Sequence, residues 1–138
     1  MCAILGGLAA AAPAPAQTLP LAGRWLPDDT AETTLLTIQD MTLSWREGRQ
    51  KKPTCVRPFA LVPERPGTIY LDGRGTKLVA GAKGSIPTYV LKLAPGDCGA
   101  AGDVVRIVFP LIYDTAHIEL IEYAGGRPVD VRRFHRKK

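Results

Sequence analysis

The chain is cut into short pieces, and that punctuation limits its fold more than any other feature. Apolar and β-branched runs of about five to ten residues recur along it, each closed by Gly, Pro or Asp, which is how short strands are separated by turns. With 14 glycines and 12 prolines, long helices have little room. The clearest alternation is Met41-Thr-Leu-Ser-Trp45. It predicts that Met41, Leu43 and Trp45 face a core and that Thr42, Ser44 and Arg46 face water. Similar runs span 33–39, 54–62, 67–72, 76–80, 87–93, 103–111, 116–124 and 128–135. Their joints are hairpin-like, with Asp72-Gly-Arg-Gly75 between two runs and Gly125-Gly126 in a loop between Tyr123 and Val129. Sequential hairpins give a meander, and closing it removes exposed sheet edges. The expectation is an all-β chain with little helix, a single small antiparallel up-and-down barrel of about 8–9 strands.

A length of 138 residues allows one domain. Residues 1–23 carry no charge, and an Ala-rich apolar stretch leads to Ala14-Pro15-Ala16. The apolar part has the length of a signal-peptide h-region and is too short to span a bilayer, and the small residues at 14 and 16 suit a peptidase site. Residues 1–16 are therefore read as a signal peptide and 17–138 as the barrel, with a periplasmic or secreted destination. No Lys or Arg follows Met1, which is what a start placed too far downstream would give. Cleavage would remove Cys2 and leave Cys55 and Cys98, which an oxidising compartment is expected to pair. The bridge would pin the turn-rich segment 94–102.

The net charge of +5 suits nucleic acid, an anionic surface or an acidic protein alike. One basic cluster comprises Arg46, Arg49, Lys51, Lys52 and Arg57; a second comprises Arg132, Arg133, Arg136, Lys137 and Lys138. Nucleic-acid binding needs aromatics interleaved with such charge, whereas Tyr70, Tyr89, Phe109, Tyr113, Tyr123 and Phe134 sit in apolar runs and read as core. Export also argues against it. The mature chain offers only Ser44, Ser85, His117 and His135 toward a hydrolase site, so no triad is expected. A site built from Asp114, His117 and Glu119 reads more simply as a surface ion pair. Neither enzyme activity, metal nor cofactor is expected.

The run Leu21-Ala-Gly23-Arg-Trp25 opens the first expected strand. Here the chain resembles the lipocalin or calycin superfamily, whose first strand carries Gly-x-Trp and whose last carries an Arg packed on that Trp. The match is through Gly23, Trp25 and Arg133, with Arg132 the alternative for the cation. The resemblance implies a barrel plugged by Trp25. After cleavage the chain is shorter than typical lipocalins and nearer in size to the bacterial protease inhibitors of that superfamily, which are exported, carry one disulfide and begin with a similar Leu-x-Gly-x-Trp run. Two readings follow. In the first, Leu43, Trp45, Ile69, Tyr89, Leu91, Ile107 and Phe109 line a cavity for a small apolar ligand. In the second, the chain inhibits a secreted hydrolase, a protease or lysozyme, through the basic segment 46–57, a loop or residues 17–21. Either way a monomer is expected.

Overall fold

A computed structural model describes residues 19–81, 88–100, 102–111 and 114–138. The segment read as a signal peptide lies outside the described residues, as do Ser85 and Tyr113. Ten strands run in order: β1 (Gly23–Pro27), β2 (Leu35–Gln39), β3 (Thr42–Arg46), β4 (Cys55–Val62), β5 (Ile69–Leu71), β6 (Lys77–Val79), β7 (Thr88–Leu93), β8 (Val104–Val108), β9 (His117–Ala124) and β10 (Arg127–Arg136).

Eight of them close into one antiparallel barrel in the order β1-β10-β9-β8-β7-β4-β3-β2. Every stave lies beside its neighbours in the chain, apart from the seam that joins β1 to β10. The seam is carried by Trp25 opposite Arg136, Leu26 opposite His135 and Pro27 opposite Phe134. The runs over 67–72 and 76–80, expected as staves, pair only with each other as β5 and β6. At three residues each they reach about 10 Å, too short to cross the barrel, and they lie outside it as a hairpin.

Period-two patterning fills the interior. Leu36 and Ile38 of β2, Leu43 and Trp45 of β3, Leu91 and Leu93 of β7, and Val105 and Ile107 of β8 are all buried in one apolar cluster. Ile118 and Leu120 of β9 and Phe134 of β10 join it, with Leu21, Trp25, Cys55, Phe59 and Phe109. Met41 departs from its expected place. It is 42% exposed, because it and Asp40 form a two-residue turn between Gln39 and Thr42, both with positive φ (56° and 52°). Such a turn matches strand twist but demands a backbone that non-glycine residues rarely adopt.

The two ends are closed differently. At the end where β1 begins, Leu21 is fully buried, and the Trp25 indole N–H donates to its carbonyl at 3.0 Å. At the opposite end Cys55 and Cys98 form the expected disulfide, Cα atoms 5.9 Å apart, which ties the 94–103 connection to β4. Arg57 completes that tie from inside. Its guanidinium donates twice to the Ala94 carbonyl, at 3.1 and 2.6 Å, and to the Cys98 carbonyl at 3.3 Å, and it pairs with Asp103 at 2.9 Å.

Candidate functional site

Most of the residues expected to line a cavity lie inside the barrel, in its buried apolar cluster. Leu43, Trp45, Leu91, Ile107 and Phe109 are buried, and Tyr89 packs against them edge-on to Phe109 with ring centroids 6.3 Å apart. Ile69 is placed elsewhere altogether: on the hairpin, outside the barrel, and 63% exposed.

Trp25 and Gly23 hold the places the resemblance gave them, but the cation does not. Arg133 is 57% exposed and pairs with Glu119 at 3.0 Å on the outer surface. Arg132, the alternative, points to the disulfide end, where it pairs with the buried Glu122 and donates to the Gly99 carbonyl, both at 2.8 Å. Arg136 is the residue over the Trp25 ring, 4.3 Å from its centroid. It also donates to the carbonyls of Ala22, Pro20 and Thr115 at 2.8, 3.0 and 3.1 Å. A Cβ at position 23 would lie 2.5 Å from Arg136 Nη1, so glycine there gives the guanidinium its path to the indole.

The basic cluster of the 46–57 segment divides in two. Arg57 is 2% exposed and spent on the 94–103 connection, so it is no part of a contact surface. Arg49, Lys51 and Lys52 are exposed on the connection between β3 and β4, and none of them makes an ion pair among the described residues. Arg46 follows Thr42 and Ser44 on the outer face of β3. Beside it β4 turns Val56, Pro58, Ala60 and Val62 outward, all exposed, where alternation on a solvated strand calls for polar side chains. Lys92 of β7 stands opposite Ala60. Across β2, β3, β4 and β7 the outward side chains include Arg46 and Lys92 but no Asp or Glu. The result is a bare apolar strip with cations on both flanks.

Another part of the outer wall, around Arg106, Tyr123 and Val131, is covered by the β5–β6 hairpin. Tyr70 is buried against the Arg106 guanidinium, which sits 3.8 Å from the ring centroid. Arg106 pairs with both oxygens of Glu64, Nη1 to Oε1 at 2.8 Å, and donates to the Thr88 hydroxyl at 3.0 Å. Burial works against this charge, and the Glu64 carboxylate outweighs it, so the Arg106 pKa is held above its ordinary value. Burial likewise raises the Tyr70 and Tyr123 phenols, against the lowering effect of Arg106. The Tyr123 hydroxyl donates to the Leu71 carbonyl, a second tie between hairpin and barrel. Sequence reasoning missed this anchor, though Arg106 was a visible signal: a lone charge at the centre of Val-Val-Arg-Ile-Val.

Two grooves flank the hairpin. One, of about 850 Å³, runs between Tyr70 and Leu78 on one side and Val108, Ile121 and Val131 on the other, with carboxylates and guanidiniums mixed along its rim. The other, of about 610 Å³, opens between Ile69 and Leu71 of the hairpin and Val90, Val104 and Tyr123 of the barrel.

Asp114, His117 and Glu119 do not assemble into one site. His117 Nδ1 lies 2.9 Å from Asp114, and Glu119 is engaged by Arg133. The Asp114 carboxyl is held below its ordinary pKa by the Ala116 amide and then by His117. Among the described residues, no group of three His, Cys, Asp or Glu is placed to hold a metal ion, and no helix is long and apolar enough to cross a membrane. No protein-family model matches the chain, and neither a search of curated proteins nor one of solved structures returned a match.

Proposed function

We propose that the chain is a non-enzymatic, exported binding module, calycin-like in its Trp25–Arg136 closure, that seats its outer wall on an acidic surface of a secreted hydrolase such as a protease or lysozyme. The observation that carries this reading is the exchange of roles between inside and outside. Leu43, Leu91, Ile107 and their neighbours are buried together inside the barrel, while Val56, Pro58, Ala60 and Val62 are left bare between Arg46 and Lys92. An uncovered apolar strip with like charges at its edges suits a partner with an apolar centre and an acidic rim. The disulfide suits an oxidising compartment, where such partners occur.

The test is complex formation between the purified protein and a panel of secreted proteases and lysozymes, followed by size-exclusion chromatography and interferometry at low and moderate salt. At least one member is expected to bind, more tightly at low salt. The double substitution R46E/K92E should then weaken binding by about tenfold or more, chiefly in the association rate. A panel without a binder, or a complex indifferent to R46E/K92E and to Val56→Asp, would reject the proposal.

A further inference from the structure

We infer that the groove of about 610 Å³ between the hairpin and the outer faces of β7, β8 and β9 is a binding site for a single-chain amphipathic anion, an alkyl carboxylate. Its size lies within the range of small-molecule sites, and its location is outside the barrel. Val90 and Val104 lie on outward positions of β7 and β8, beside Arg106, where water would otherwise favour polar residues. Ile69 and Leu71 border the groove on the hairpin side, along with Tyr70 and, from the barrel, Tyr123. Ile69 is the most exposed large apolar side chain of the described residues, at 63%, and an alkyl chain laid in the groove would cover it.

Charge selects the head group. Three ionised side chains border the groove: Lys77, Arg106 and Asp103. Arg106 is committed to Glu64 and Thr88, and Asp103 is paired with Arg57. Lys77 is exposed and makes no ion pair among the described residues, so the uncommitted charge at the mouth is one ammonium. It would attract a carboxylate and repel an amine. Gly125 and Gly126 also line the groove, and a Cβ added to either would meet nothing within 4 Å, so the tail has an unobstructed way out.

The probes are decanoate, decanol and decylammonium, each kept below its micelle concentration and titrated into the full chain by calorimetry and by amide NMR. Decanoate is expected to bind one to one, with shifts at Ile69, Val90 and Val104. Decanol should bind about tenfold more weakly and decylammonium not measurably. Lys77→Glu should bring decanoate down to the decanol level and leave decanol unchanged. Ile69→Asp, at an exposed position the fold does not need, should abolish both. Equal binding of decanoate and decylammonium would overturn the assignment. So would decanoate binding unaffected by either substitution, or no binding at millimolar decanoate. The hydrolase panel is independent of all three outcomes, because Arg46 and Lys92 lie outside the groove.

Discussion

Arg136→Ala should cost the barrel about 3 kcal/mol, and the figure follows from what the guanidinium touches. Its position 4.3 Å above the Trp25 ring is worth about 1 kcal/mol for a partly desolvated cation–π contact. The part-buried bond to the Ala22 carbonyl at 2.8 Å adds about 1.5 kcal/mol as a charge-assisted hydrogen bond. The bonds to Pro20 and Thr115 are exposed and bring only a few tenths of a kcal/mol together. Arg136→Lys keeps the charge but cannot span three carbonyls and the ring, so it should lose about 2 kcal/mol. Arg133→Ala is the control, because its exposed pair with Glu119 is worth less than about 1 kcal/mol. Urea denaturation followed by far-UV circular dichroism measures all three. Comparable losses for Arg133→Ala and Arg136→Ala, within about 0.5 kcal/mol, would refute the reasoning, since one cation would then be no more structural than the other.

Two further predictions concern the ends of the barrel. Reducing the Cys55–Cys98 bridge, whose partners are 43 residues apart, should cost about 4 kcal/mol by loop entropy. Amide exchange should then rise over 94–103 before the strands melt, because each fully buried core side chain contributes about 2 kcal/mol that reduction does not touch; simultaneous loss of both would contradict this. Replacing Asp40-Met41 by Asn-Gly, the pair suited to positive φ at both turn positions, should raise the urea midpoint by the equivalent of about 1 kcal/mol. An unchanged or lowered midpoint would mean that the turn carries no strain.

The barrel was legible in the sequence because short alternating runs and hairpin joints are local signals. Leu43 and Trp45 announced an inner face, Gly125-Gly126 a turn, and two cysteines a bridge. What misled was apolarity serving two purposes. Arg133 shares its strand face with Val129 and Val131, whose apolarity reads as an inner face and so favours Arg133 as the partner of Trp25. In fact Val131 is apolar because the hairpin covers it from outside, with Gly73 so close that a Cβ there would fall 1.9 Å from Val131. The inner face is the even one, with Phe134 and Arg136. Ile69 was misplaced for the same reason: a run of three apolar residues does not say which side of a sheet it will cover. Arg57 was assigned to a surface patch because charge in a basic cluster reads as solvated. Only the alternation of Cys55, Arg57 and Phe59 hinted that it faces inward.

The seam has a consequence for how the chain comes into being. Because β1 pairs with β10, the first stave waits for the last, and Trp25 meets its cation only when position 136 has been made. Every hairpin from β1 to β10 can form as it is synthesised, yet the cylinder stays an open, curved sheet with two unpaired edges until β10 is complete. Contacts across more than a hundred residues are the slowest to form. A chain cut before Phe134 would keep its edges exposed and associate through them. Strands β1 and β10 thus act as one element, and the last three residues of β10 decide whether the first strand has a neighbour on that side.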